Sequence, residues 1–168
     1  MKNNISYPKK MIIYWVFLAT IGSPTYAENL SARVTQYGIY SRGYEVVEKD
    51  SASPSEFYRR TSEIRLLQQT NNIPMKLGIK FGYCFEISGS ALNEITLTEK
   101  VSHPEIKRND GKVTKNFSTP RRIPVVNGVG GSCGGYSLDH GFELIPGDWK
   151  FELFNGKQRL LVQEFLVK

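Results

Sequence analysis

In the stretch Leu77 to Ile87, Leu77, Ile79, Phe81, Tyr83, Phe85 and Ile87 fall on every second position. Side chains alternate faces along a β-strand, so all six point one way, whereas a helix would scatter them around its circumference. Gly78, Lys80, Gly82, Cys84 and Glu86 take the opposite face. A long strand with one oily face is therefore expected here, and a sheet must exist to pair with it.

The rest of the chain supplies that sheet. Leu30–Tyr40, Glu63–Thr70, Leu92–Glu99 and Tyr136–Leu144 read as further strands, from their β-branched and aromatic content. Lys115–Val126 reads as an edge strand, because Pro120 and Pro124 cannot donate to a central ladder. Ser41–Ser55, Ser102–Lys112 and the five-glycine stretch Asn127–Gly135 read as loops, with a short helical turn at Ser55–Arg60. Asn155-Gly156 between WKFELF and KQRLLVQEFLV is a strong hairpin signal, since a type I′ turn needs positive φ at both positions. A two-residue loop there sets Trp149 opposite Val162, Phe151 opposite Leu160 and Glu152 opposite Arg159, with a bulge near Gln163. Seven or eight short strands without a long amphipathic helix are the pattern of an antiparallel β-sandwich.

The N-terminus is expected to lie outside that fold. Lys2, Lys9 and Lys10 precede the apolar run Met11–Ile21, and Thr25-Tyr26-Ala27 offers the small residues a signal peptidase requires. Residues 1–27 are thus expected to be a signal peptide cleaved after Ala27, leaving one domain over residues 28–168. The run is about half the roughly 20 residues that span a bilayer, so no transmembrane segment is expected in the mature chain. That mature chain carries 19 Lys and Arg against 16 acids, a net +3, too little to argue for nucleic acid. In an exported chain the two cysteines suggest a Cys84–Cys133 disulfide, with the glycine-rich loop folded over the outer strand face. The alternatives are two free thiols or a metal pair, and the latter lacks nearby ligands.

Candidate chemistry is sparse. Ser137, Asp139 and His140 have the residue types of a hydrolase triad, but neighbours along one strand point to different faces, and no nucleophile-elbow sequence accompanies them. Neither they nor Glu143 show metal-ligand spacing, and neither metal nor cofactor is expected. His103, before Pro104 in a polar stretch, reads as exposed. Between Lys100 and Arg122 seven cations face two acids, and Lys107, Arg108, Lys112, Lys115, Arg121 and Arg122 form the candidate contact for an anionic partner. A solvated loop with edge-protecting charges is the plainer reading of that set.

YGIY at Tyr37–Tyr40, QTNNIP at Gln69–Pro74, LGIKFG at Leu77–Gly82, ELIPGDWKF at Glu143–Phe151 and QEFLV at Gln163–Val167 occur in that order. Together they resemble an uncharacterised family of small exported bacterial proteins, the domain of unknown function 3859 family. The resemblance implies an immunoglobulin-like sandwich in a bacterial envelope or secreted setting, and implies no catalytic residues. The function expected is a non-catalytic binding module, periplasmic or secreted, whose partner is an envelope or extracellular protein or an anionic glycolipid. The alternative is a secreted hydrolase-like enzyme with a loop-assembled site near His140.

Overall fold

The computed structural model describes residues 30–168 other than Arg42 and Asp50, so the expected signal peptide lies outside the described residues. The oily strand is β6, Lys80–Ser88. Phe81, Tyr83, Phe85 and Ile87 are at most 3% exposed, as the alternation demands. Leu77 departs from it: Leu77 and Gly78 turn, so Leu77 is 54% exposed. β6 is flanked by β1 (Ser31–Tyr40) and β9 (Val129–Ser137), both antiparallel to it.

The remaining strands are β2 (Tyr44–Lys49), β3 (Phe57–Ser62), β4 (Leu66–Gln68), β5 (Asn72–Ile73), β7 (Glu94–Lys107), β8 (Val113–Val126), β10 (Gly147–Asn155) and β11 (Gln158–Val167). Among the described residues, nine strands run in the order β4-β1-β6-β9-β8-β7-β10-β11-β5, and β2 and β3 form a separate ribbon. All pairs in the large sheet are antiparallel except β11 with β5, where Leu166 and Val167 run parallel to Asn72 and Ile73. The sheet curls on itself at β8 and β9. These two pair only as Val125 with Gly130 and Val126 with Val129, around the positive-φ turn Asn127-Gly128, and then separate. The sequence-based expectation of a β-sandwich therefore holds, with more strands than seven or eight.

Across the two layers, the Phe81 ring meets Trp149, Phe151 and Phe165 edge-on at centroid distances of 5.5, 6.1 and 5.3 Å. Edge-to-face pairs of this kind add about 0.5–1.5 kcal/mol each beyond their buried area. β8 pairs with β7 along one side and leaves its other edge open up to Val125, which accommodates Pro120 and Pro124 as expected of an edge strand.

Several readings change. The glycine-rich stretch after Gly128 is strand β9, because β6 and β9 approach so closely that side chains on several of its residues would collide with backbone. A Cβ on Gly131 would lie 2.8 Å from the Phe85 carbonyl oxygen. Part of the expected 41–55 loop is β2, the Ser55–Arg60 helical turn is replaced by β3, and β7 runs through Ser102 and Pro104 to Lys107 with a register shift. In the last hairpin Gly156-Lys157 is the loop, Asn155 pairs with Gln158, and the extra residue falls between Arg159 and Leu161. That bulge shifts the register, so Trp149 faces Phe165 and Phe151 faces Gln163. The result buries Leu161, Phe165 and Val167 and turns Glu164 to solvent, where a bulge-free register would have carried Glu164 into the apolar line; the bulge expected near Gln163 falls before Leu161 instead.

Candidate functional site

Where β8 and β9 separate, a cleft of about 320 Å³ opens into the sandwich. β8 alternation aims Phe117, Thr119 and Arg121 inward, and β9 presents Ser132, Gly134 and Tyr136. Glu99, opposite Thr119 on β7, forms the floor. It sits in phase with Ile95, Leu97 and Val101, a charge on an otherwise apolar face, and is 4% exposed.

Three donors satisfy that buried carboxylate. The Tyr83 hydroxyl donates to Oε1 at 2.9 Å. Arg121 donates to Oε2 from Nε at 3.0 Å and from Nη2 at 2.8 Å. The Glu99 and Arg121 side chains are 6% and 10% exposed, so the pair is largely removed from water. Gly134 leaves the room for it: a Cβ there would collide with Glu99 Oε1 and come within 2.6 Å of Arg121 Nη2. Burial first, and then the Glu99 charge, hold the Tyr83 phenol well above its ordinary range and keep it a donor.

The ribbon forms the roof. Its stem is tied by the Ser41 amide to the Arg65 carbonyl at 2.8 Å, and its tip places Ser53 and Ser55 over the cleft, 4% and 6% exposed. The two hydroxyls lie 3.0 Å apart, and Glu56 of the tip pairs with Arg108. Along the ribbon, Val46 and Val47 are 47% and 52% exposed.

The cysteines stand directly opposite each other on β6 and β9 and form the expected disulfide. A paired strand, not a loop draped over the outer face, closes it. Cys133 contributes to the cleft wall, and Tyr40, whose hydroxyl lies 3.7 Å from Cys84 Sγ, has its phenol pushed up to about 12 by burial.

Ser137 ends β9, Asp139 and His140 follow it into the turn that leads to Gly141–Glu143, and Glu143 organises that turn. Its fully buried carboxylate accepts the Tyr136 hydroxyl at 2.5 Å and the Asp139 and His140 amides at 2.7 and 2.8 Å. Burial and the Glu143 charge raise the Tyr136 phenol above its ordinary range. Ser137 is buried, and the His140 ring stacks flat on Phe142 at 5.1 Å. Among the described residues no group of three His, Cys, Asp or Glu is placed to hold a metal.

The basic set is dispersed. Arg121 lies in the cleft floor. The Arg108 side chain is 5% exposed and pairs with Glu56 and, at 2.9 Å, with Asp110. Lys115 pairs with Glu105 at 3.1 Å on the surface, while Lys107, Lys112 and Arg122 are exposed. His103 is buried rather than exposed: it stacks on Trp149 at 5.0 Å with Nδ1 2.7 Å from the Pro104 carbonyl oxygen, and burial lowers its pKa. The sequence reading gave no site role to Glu99, Tyr83, Thr119 and Tyr136, and weighed Glu143 only as a metal ligand. Glu99 and Arg121 were detectable as charges in phase with apolar positions on neighbouring strands.

Among the described residues no helix is long and apolar enough to cross a membrane. The family model Domain of unknown function (DUF3859) matches residues 28–167, and the chain belongs to that family. Among solved structures, the chain is similar to an immunoglobulin-like protein from Pseudomonas aeruginosa, at 25% identity and a TM-score of 0.58, over 84% of this chain and 99% of that one. A fainter likeness, at 12% identity and a TM-score of 0.38 over 58% of this chain and 28% of that one, is to the DNA glycosylase AlkC of Pseudomonas fluorescens bound to abasic-site DNA, and carries no argument. No curated protein matches the chain.

Proposed function

For this member of the family, we propose a non-catalytic binding module, exported through cleavage after Ala27, that works as the single domain 28–168 in the bacterial envelope or medium. Its binding site is the β8–β9 cleft beneath the ribbon tip. The observation that carries the reading is the cleft floor, where Glu99, Arg121 and Tyr83 are pre-paired in a nearly dry site. Such groups fix a ligand's orientation without being a nucleophile or a proton shuttle. The immunoglobulin-like relative and the disulfide support an extracytoplasmic setting. The exposed cations Lys107, Lys112 and Arg122 are a secondary contact for an anionic partner surface.

The test has two parts. A fusion of residues 1–27 to a reporter active only outside the cytoplasm is expected to score positive. Tagged chain cross-linked in the envelope and medium is expected to capture a partner that the cleft-filling Thr119→Arg variant loses. An unchanged captured set in that variant would remove the cleft from the account.

A further inference from the structure

Resting on the reading of this cleft as the binding site, the chemistry of its walls narrows the ligand. We infer that the cleft takes a polyhydroxylated ligand, one or two rings of a carbohydrate. Size comes first. About 320 Å³ is at the lower end of the roughly 300–1,000 Å³ that small-molecule sites enclose, too short for an extended peptide.

The lining is hydroxyl-bearing from two sides. Thr119 on β8 and Ser132 on β9 meet Ser53 and Ser55 of the ribbon tip. Each hydroxyl both donates and accepts, which suits a ligand whose own hydroxyls do the same. A hydrocarbon ligand would bury the Thr119 and Ser132 hydroxyls without a polar partner, at about 1–3 kcal/mol each, while Ser53 and Ser55 already bond each other.

Phe117 and Phe57 supply flat apolar surface beside the hydroxyls. A sugar ring has a matching division, with an apolar C–H face and a polar rim. Glu99 and Arg121 compensate each other in the floor, and Lys80 of β6 also lines the cleft.

The experiment is an amide-shift titration of the nitrogen-15-labelled chain purified from the periplasm of expressing cells, disulfide intact. The probes are maltotriose, cellotriose and chitotriose, with trigalacturonate as the acidic comparison. At least one probe is expected to shift the Thr119, Ser132 and Gly134 amides saturably, with a Kd on the order of 1 mM or tighter. Thr119→Arg abolishes those shifts, and Phe117→Ala weakens binding about tenfold while the Trp149 indole signal stays in place. No saturable shift from any of the four probes would overturn the carbohydrate assignment. If Thr119→Arg still loses the cross-linked partner, the failure is one of ligand class and the cleft survives. If that capture is unchanged, the cleft fails as well.

Discussion

Arg121→Met removes one half of a pair whose side chains are 10% and 6% exposed. Glu99 would keep the Tyr83 hydroxyl and lose both Arg121 hydrogen bonds, leaving a buried carboxylate without its counter-charge. Breaking a buried pair on one side costs about 3–5 kcal/mol, against about 0–1 kcal/mol for an exposed pair. Glu99→Leu with Arg121→Met removes the charge altogether and leaves an unpaired Tyr83 hydroxyl, worth about 1–3 kcal/mol. The double variant is therefore expected to be more stable than Arg121→Met alone, and adding Tyr83→Phe recovers part of the remainder. Urea unfolding at neutral pH, followed by the buried Trp149 with the disulfide intact, measures all three, provided the m-value stays constant. A loss below about 1 kcal/mol for Arg121→Met would refute the reasoning, because it would mean the floor is solvated.

Other predictions follow from the same geometry. Reducing the Cys84–Cys133 bond, which spans 49 residues, should lower stability by about 4 kcal/mol on the chain-entropy model, and the mass of oxidised chain should be two hydrogens below the reduced mass. Phe165→Ala should cost about 3–5 kcal/mol and Glu164→Leu almost nothing in thermal unfolding, the reverse of what the bulge-free hairpin register would give. Buried His103 binds its proton less readily than in the unfolded chain, so its contribution holds above the ordinary histidine value near 6.5 and is lost as pH falls below it. His103→Gln should flatten that acid limb in a plot of stability against pH, and an unchanged slope would contradict the burial.

The sandwich and the disulfide were legible because both rest on strong local signals: six apolar residues at period two, and an even pair of cysteines in a chain whose N-terminus reads as a signal peptide. β9 was not legible, since its glycines serve a close strand approach that depends on β6, and glycine-rich sequence otherwise reads as loop. The hairpin was legible but its turn lies one residue further on, at Gly156-Lys157, and its register differs because one bulge before Leu161 decides whether Glu164 or Phe165 faces the core. The cleft was half legible. Arg121 stood out by charge, but its partner Glu99 lies 22 residues away on another strand and became visible only through cross-strand pairing. Arg108 likewise reads as surface charge until Glu56 of the ribbon tip is brought to it.

Site-specific photocross-linking in living cells tests whether the β8–β9 cleft is the binding site. A photoreactive aromatic replaces Phe57, which lines the cleft mouth and is 41% exposed, and in a separate variant Val162, on the outer face of β11. A discrete cross-linked species is expected from position 57 that disappears when Thr119→Arg fills the cleft, and none from position 162. The same species from position 162, or one from position 57 that persists with the cleft filled, would contradict that reading of the cleft.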